Sequence, residues 1–185
     1  MKKILTVLIL VLTLQMSAIA EFRVVGYIPN YSTHPEATKW TLGNGSKIPP
    51  REILQHLTHL MFFSMALEGT YYPNGTTASE IAALKAKGAK GELDTQNFGF
   101  YRMQDLRDAT HSAGAKFILV LGGYGISTPE FATLAASSTA RNNFAINIKN
   151  YLVTHNIDGV DVDWEFPNGN AGYENFRLLI EALKS

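Results

Sequence analysis

The feature that most constrains this chain is an alternation of short apolar runs with longer segments of helical periodicity. Strands that are apolar on both faces and separated by amphipathic helices are typical of a parallel sheet covered by helices. The sequence therefore predicts an α/β fold built from consecutive βα units. Four strands are expected, at 22–28, 57–66, 117–121 and 157–166.

Helices are expected between these strands and after the last one. Gly114 ends the helix that precedes the third strand, as a glycine after a helix commonly does. Thr128 begins the next helix, where Ser127 and Glu130 fit a capping box. The other helices are expected at about 49–56, 79–86, 141–155 and 173–183.

Residues 1–20 have the three parts of a cleavable secretory signal. Lys2 and Lys3 are followed by an apolar run over 4–14 and by small residues up to Ala20. The apolar run is shorter than the roughly 20 residues that a membrane-spanning helix needs. We therefore expect cleavage after Ala20, a secreted or periplasmic location, and no membrane attachment afterwards.

Residues 21–185 carry 14 basic side chains, the chain's 16 less Lys2 and Lys3, and 16 acidic ones, for a net charge of −2. Because there is no basic stretch, the charge pattern does not favour a nucleic-acid partner. The chain has no cysteine, which excludes a disulfide framework and thiolate chemistry. We expect one domain that is held together by its apolar core.

The last predicted strand carries several acids within an otherwise apolar run, Ile157-Asp-Gly-Val-Asp-Val-Asp-Trp-Glu-Phe-Pro167. Side chains two apart in a strand share a face, so Asp161, Asp163 and Glu165 are expected to project together. The intervening valine and tryptophan side chains project to the other face, where we expect helices to cover them. Asp158 is out of phase with the other acids and is expected to be a structural residue where the strand begins.

A metal site is the first alternative for these acids. A calcium-binding EF-hand loop starting at Asp161 would need glycine at its sixth position and glutamate at its twelfth, which Phe166 and Gly172 occupy. Magnesium on an aspartate pair stays open, although no phosphate-binding glycine loop accompanies it. A solvated acidic turn is a further alternative, which the apolar residues between the acids disfavour. We follow the acid–base interpretation, with no metal and no cofactor.

Three neighbouring carboxyl groups cannot all ionise without an electrostatic cost. Repulsion and burial are expected to raise the pKa of at least one, which gives a proton donor at neutral pH. Glu165 is the expected general acid, and Asp161 and Asp163 could share a proton. Most glycosidases place an acid and a nucleophile on opposite sides of the scissile bond. These acids leave a single strand, so a nucleophile on the substrate, such as an N-acetyl group, is expected.

The run from Asp158 to Glu165 resembles the catalytic-strand signature of glycoside hydrolase family 18, which comprises chitinases and related endo-β-N-acetylglucosaminidases. Residues 24–30 are similar to the family's first strand and 57–59 to the start of its second. Gly122-Gly123 is similar to the end of its third strand. The resemblance covers 22–184 and implies the first four βα units of a (β/α)8 TIM barrel.

The resemblance also implies roles for individual residues. Glu165 protonates the glycosidic oxygen, Asp163 orients the substrate's acetamido group, and Asp161 lies behind Asp163 and tunes its charge. The acetamido carbonyl oxygen attacks the anomeric carbon, so that β-1,4-linked N-acetylglucosamine polymers such as chitin are cleaved with retention of configuration. Tyr27 matches an aromatic residue beneath the sugar, with core filling as its alternative role. Tyr124 stands where the family often has tryptophan and could stack on a sugar face.

The sequence departs from the family in two residues and in length. Val120 stands two residues before the glycine pair, where serine is usual, and Phe166 replaces a frequent tyrosine. A closed barrel takes about 250 residues, so 21–185 is expected to be the truncated first half of a catalytic barrel. The alternatives are an endo-β-N-acetylglucosaminidase acting on glycans or peptidoglycan-related chains, a non-catalytic chitin-binding lectin-like relative, and an inactive fragment.

Overall fold

A computed structural model describes residues 22–29, 49, 51–72, 74–95, 103–126 and 128–185. These residues contain the four predicted strands, the helices between them, and one short strand that the sequence did not predict. In chain order the elements are β1 (Val25–Pro29), α1 (Arg51–Leu54), β2 (His59–Leu67), α2 (Ala78–Gly88), β3 (Leu93–Asp94), α3 (Met103–Ser112), β4 (Lys116–Gly122), α4 (Thr128–Ala136), α5 (Ser138–His155), β5 (Gly159–Asp163) and α6 (Gly169–Lys184).

Four strands form one parallel sheet in the order β1, β2, β4, β5. The register places Pro29, Phe63, Val120 and Asp161 in one row across it. The short β3 pairs antiparallel with the end of β2. Parallel neighbours that are connected through helices are the βα units that the sequence predicted.

The core lies between this sheet and helices α3 to α6. Phe62, Phe117 and Leu119 enter it from the strands and are fully buried. From the helices, Phe131 and Phe144 meet edge to face with ring centroids 6.3 Å apart, an arrangement that adds to the free energy of apolar burial. Because side chains alternate across a strand, the residues between these strand positions lie on the opposite face of the sheet.

Strand β1 is less buried than the sequence predicted. We expected a buried strand over 22–28, whereas the side chains of Val25 and Tyr27 are 43% and 64% exposed. Among the described residues β1 pairs with β2 alone, so its other edge lacks a neighbour there. The start of β1 is fixed by Thr58, whose Oγ1 accepts a hydrogen bond from the Val24 N–H at 2.9 Å.

The helix starts differ in detail from those predicted. The capping box expected at Ser127 lies outside the described residues, but α2 has one. Its Glu80 N–H donates to Thr77 Oγ1 at 3.4 Å, and the Thr77 N–H donates to Glu80 Oε2 at 2.8 Å. Helix α5 starts at Ser138, earlier than predicted, because the hydroxyl of Ser137 accepts a hydrogen bond from the Ala140 N–H.

Candidate active site

The predicted acids lie along the second half of β5 and just beyond it: Asp161 is its middle residue, Asp163 is its last, and Glu165 follows. Asp161 and Asp163 are partly buried strand residues, and Glu165 follows two residues after the strand. Trp164 is 7% exposed and stacks on Phe131, with ring centroids 6.0 Å apart and an interplanar angle of 22°. The tryptophan therefore faces the helices. Within β5, Val160 and Val162 pack against the same core, so by strand alternation the two aspartates occupy the opposite face.

Strand β5 is shorter than predicted. We expected it to continue through Phe166, but the ladder with β4 ends at the Gly122–Asp163 pair and the chain bends at Glu165. Strand alternation therefore does not by itself align Glu165 with the aspartates. The Glu165 carbonyl oxygen instead accepts a hydrogen bond from Thr128 Oγ1 at 2.5 Å.

The glycine pair where β4 ends, Gly122 in the strand and Gly123 after it, allows the ends of β4 and β5 to approach closely. Gly122 and Gly123 have φ angles of 99° and 114°, a region that L side chains rarely adopt. A Cβ atom on Gly122 would lie 2.4 Å from the Asp163 carbonyl oxygen, and one on Gly123 would lie 2.6 Å from the Phe63 ring. The Gly123 N–H donates to that same Asp163 oxygen at 2.7 Å. The backbone beside the acids thus depends on two residues without side chains.

The two strand aspartates influence each other and Tyr27. Burial raises the pKa of Asp161, and the nearby charge of Asp163 raises it further. Burial also raises the pKa of Tyr27, as do the charges of Asp161 and Asp163. We expected a raised pKa for at least one of the acids, and Asp161 shows it. The tyrosine and both aspartates therefore belong to one electrostatic cluster on the open face of the sheet.

Asp158 lies at the amino end of β5, apart from this cluster. Its Oδ2 accepts a hydrogen bond from the Phe117 N–H at 2.8 Å and is 2.6 Å from His111 Nε2. Burial acts to raise the pKa of Asp158, but these hydrogen bonds and the charges of His111 and Lys116 lower it overall. The carboxylate therefore joins β5 to β4 and α3.

Aromatic side chains lie at the carboxyl edge of the sheet. Tyr124 follows β4 and Phe166 follows β5, and they are 85% and 71% exposed. Tyr27 is also largely exposed and so fills no core that the described residues form. Exposed rings beside a polar cluster are a feature of ligand-binding surfaces.

The placement of Glu165 relative to the two aspartates bears on the chemistry that these acids support. Of the residues that the structure describes, no three His, Asp or Glu side chains are placed so that they could hold a metal ion. Asp161 and Asp163 are strand neighbours on one face, whereas Glu165 lies past the bend. Neighbouring carboxyl groups in unlike environments are suited to acid–base chemistry.

Sequence reasoning missed two features at this edge of the sheet. One is the Thr128 hydrogen bond to Glu165, and the other is a second carboxyl pair, Glu68 and Asp94, where β3 meets β2. Asp94 is fully buried. Burial and then the charge of Asp94 raise the pKa of Glu68, partly offset by Lys87. Only the antiparallel pairing of β3 with β2 brings this pair together, and the polar segment after β2 gave no signal for it.

Comparison with known proteins finds one family over nearly all of residues 21–185. A sequence profile described as "Glycosyl hydrolases family 18" matches residues 23–185. Chitinase 1 of Aphanocladium album is 26% identical over 151 residues, which cover 80% of this chain and 35% of that protein. A probable endochitinase of Caenorhabditis elegans is 33% identical over 87 residues, 47% of this chain and 14% of that protein. The chain thus spans about a third or less of the length of these curated relatives.

Solved structures share the fold. A chitinase from Bacteroides thetaiotaomicron superposes with a TM-score of 0.61 at 19% identity, covering 89% of this chain and 42% of that one. A Rhizomucor miehei chitinase gives 0.60 at 20% identity, with 88% and 43% covered. A family 18 chitinase mutant from Cycas revoluta, in complex with (GlcNAc)4, gives 0.57 at 21% identity, with 86% and 38% covered. These similarities confirm the predicted TIM-barrel fold class. The described residues form part of such a barrel.

Proposed function

Because the chain belongs to glycosyl hydrolases family 18, we propose that the protein hydrolyses β-1,4 linkages between N-acetylglucosamine units, with chitin as its substrate. Relatives named chitinase support this substrate, as does a solved Cycas revoluta chitinase in complex with (GlcNAc)4. Since the chain spans 35% of the Aphanocladium album relative, we assign the activity to a complete catalytic barrel. Residues 21–185 are proposed as the first half of that barrel.

The observation that carries the proposal is the division of side chains at the end of β5. Asp161 and Asp163 share the open face with Tyr27, whereas Trp164 is packed in the core. Glu165 follows at the bend. The carboxyl ends of parallel barrel strands are where barrel enzymes place their reacting groups. Neighbouring carboxyl groups in unlike environments can divide acid and base roles between them.

In the first step, Glu165 donates its proton to the glycosidic oxygen as the bond from that oxygen to the anomeric carbon breaks. The carbonyl oxygen of the substrate's own acetamido group forms a new bond to the anomeric carbon from the opposite face. Asp163 accepts a hydrogen bond from the acetamido N–H and stabilises the positive charge that develops there. Burial and the nearby charge of Asp163 raise the pKa of Asp161, so protonation of Asp161 is easier than for a free aspartate and relieves the repulsion between the two carboxyl groups.

In the second step, a water molecule attacks the anomeric carbon. The Glu165 carboxylate accepts a proton from that water, and the bond to the acetamido oxygen breaks, which restores the N-acetyl group. Two successive inversions at the anomeric carbon give net retention of configuration. No nucleophilic carboxylate is needed on the other side of the sugar, which fits acids that all lie on one strand or directly after it.

The test is turnover of an N-acetylglucosamine oligomer by the Glu165→Gln variant. We expect kcat to fall by about 10²- to 10⁴-fold because the amide cannot donate the proton, while oligomer binding measured by calorimetry is retained. Glu181→Gln is the matched control, since Glu181 is exposed on α6 and pairs with Arg177. Normal hydrolysis by Glu165→Gln would refute the acid assignment.

The same assay tests the role of the acetamido group and the alternative functions. Cellulose oligomers lack that group and should not be cleaved, so comparable rates on both oligomers would exclude substrate assistance. An unmodified protein that binds chitin oligomers without cleaving them would favour the lectin-like alternative. Cleavage restricted to N-glycans would favour the endo-β-N-acetylglucosaminidase alternative.

We propose in addition that the protein is secreted or periplasmic and that residues 1–20 are a cleaved signal. These residues lie outside the described part of the structure. Within that part, no helix has the length and apolar character required to cross a bilayer. The amino-terminal sequence of the exported protein checks the proposal, which expects Glu21 as the first residue.

A further inference from the structure

The backbone at Glu165 is held from outside the sheet. The last bond between the two strand ends runs from the Gly123 N–H to the Asp163 carbonyl oxygen, at 2.7 Å. Two residues later, the Glu165 carbonyl oxygen accepts its hydrogen bond from the Thr128 hydroxyl at 2.5 Å, the short end of the range for such bonds. The anchor of Glu165 is therefore a side chain of another element.

Thr128 is itself firmly placed. It is the first residue of α4, and Phe131 and Leu134 of this helix are 1% and 0% exposed. Phe131 lies three positions after Thr128, hence on the same face of the helix, and stacks on Trp164. One helical turn thus contacts two consecutive residues, through the ring of Trp164 and the backbone of Glu165.

The chemistry of threonine suits an anchor. Its branched Cβ restricts χ1, so little side-chain freedom is lost when the hydroxyl is held in one direction. Thr133, on the same helix, has an equivalent hydroxyl that instead donates to the Pro129 carbonyl oxygen at 3.0 Å. The two threonines therefore provide a matched pair, in which one hydroxyl bonds within the helix and the other bonds to the candidate acid.

We propose that Thr128 is a positioning residue for Glu165. The Thr128 hydroxyl fixes the backbone of Glu165, and this directs the Glu165 carboxyl group to the glycosidic oxygen. This inference rests on the proposed role of Glu165 as general acid. Thr128 acts through the Glu165 backbone and does not itself contact the reacting atoms. The step it affects is proton donation, so its loss changes the rate of reaction and leaves sugar binding in place.

The test compares Thr128→Val, Thr128→Ser and Thr133→Val in the protein that carries the activity. Valine keeps the branched shape and removes the hydroxyl, so we expect kcat for a chitin oligomer to fall by about 10- to 100-fold, as small misplacements of a reacting group do. KM is expected to stay close to that of the unmodified protein. Thr128→Ser restores the hydroxyl and should recover most of the lost rate, and Thr133→Val should leave kcat unchanged.

Four kinetic results would overturn the proposal. The first three are an unchanged kcat in Thr128→Val, an equal loss in Thr133→Val, and a loss that lies in KM alone. Failure of the serine variant to recover activity would likewise assign the effect to packing. The thermal unfolding midpoints of the three variants are compared first, so that kcat is compared only between folded proteins.

A second measurement does not depend on turnover. Hydrogen–deuterium exchange over residues 164–168 should be faster in Thr128→Val than in Thr133→Val, because the strand end has lost its tie to α4. Equal exchange in the two variants would exclude the anchor whatever the activity. If the unmodified protein cleaves no oligomer while exchange still rises in Thr128→Val, the proposed function fails and the anchor stands.

Discussion

Two aspartates of the β5 segment have pKa shifts of opposite sign, Asp158 just before the strand and Asp161 within it. At the amino end, the Asp158 carboxylate accepts a hydrogen bond from the Phe117 N–H and lies beside His111. Burial acts to raise the pKa of Asp158, but these partners lower it overall. Toward the carboxyl end, burial and then the charge of Asp163, the last residue of the strand, raise the pKa of Asp161. Only two residues, Gly159 and Val160, separate Asp158 from Asp161 along the chain.

This difference shows how one short segment can hold acids in two unlike environments. A carboxylate that accepts hydrogen bonds from the backbone and from a base is favoured in its charged form and serves to join elements. A carboxyl group that is buried beside another acid is favoured in its neutral form, and such groups cluster at functional sites. The pKa shifts of Asp158 and Asp161 therefore have opposite signs because the two carboxyl groups have different partners.

The largest expected contrast is in turnover, between Asp163→Asn and Asp158→Asn. Asp163→Asn should lower kcat on a chitin oligomer by about 10²- to 10³-fold, because the amide cannot stabilise the charge that develops on the acetamido group. Asp158→Asn keeps an oxygen that can accept the Phe117 N–H and should leave kcat near that of the unmodified protein. An equal loss of kcat in both folded variants would mean that the two ends do not differ in function.

The next contrast is in stability, and it concerns Asp158→Ala. This change leaves the N–H of the buried Phe117 without its acceptor, so we expect the free energy of unfolding to fall by about 1–3 kcal/mol. Urea unfolding followed by circular dichroism measures it. Asp108→Ala is the control, because its carboxylate pairs with Arg107 at the surface with its side chain 65% exposed and should change stability by less than about 1 kcal/mol.

The pH dependence of the Asp158 contribution follows from the sign of its pKa shift. The folded pKa lies below the unfolded value of about 3.9. Its stabilisation is therefore fully present above the unfolded pKa and is lost as the pH falls through the folded pKa. The difference in stability between the unmodified protein and Asp158→Ala should shrink in acid, and a difference independent of pH would contradict the argument.

The smallest expected effect is of opposite sign and belongs to Asp161→Asn. The folded pKa of Asp161 lies above its unfolded value, so its ionisation destabilises the fold as the pH rises through the folded pKa. Asparagine is neutral throughout and removes that cost. The free energy of unfolding at pH 7 should rise by less than about 1 kcal/mol, since the group is partly exposed. A decrease in stability at pH 7 would show that Asp161 is instead held as a charged structural group.

Local patterns in the sequence were enough to predict the parallel sheet and the facing of β5. The tryptophan between Asp163 and Glu165 is packed against α4, as strand alternation required. Periodicity could not predict where β5 ends, because that depends on where its partner β4 turns away at Gly122. The apolar composition of β1 predicted a buried strand. Composition alone could not show that, among the described residues, β1 has a neighbouring strand on one side only.

The contacts that refine the site are long-range. Thr128 reaches Glu165, and Asp158 reaches Phe117 and His111, from different elements. A threonine at a helix start and an aspartate before a strand are each common, so neither residue signals its partner in the sequence. Such pairings become visible only once the sheet places the elements side by side.

The packing of Trp164 has a practical consequence for following this site by optical spectroscopy. Its indole is stacked on Phe131 and meets Phe176 edge to face at 6.0 Å, and within the described structure its Nε1 has no hydrogen-bond partner. A dry indole emits at short wavelength, and its emission shifts to the red when water enters. Trp40 is the other tryptophan of the chain. In a Trp40→Phe variant, the tryptophan fluorescence comes from Trp164 alone and reports whether water reaches the residue next to Glu165.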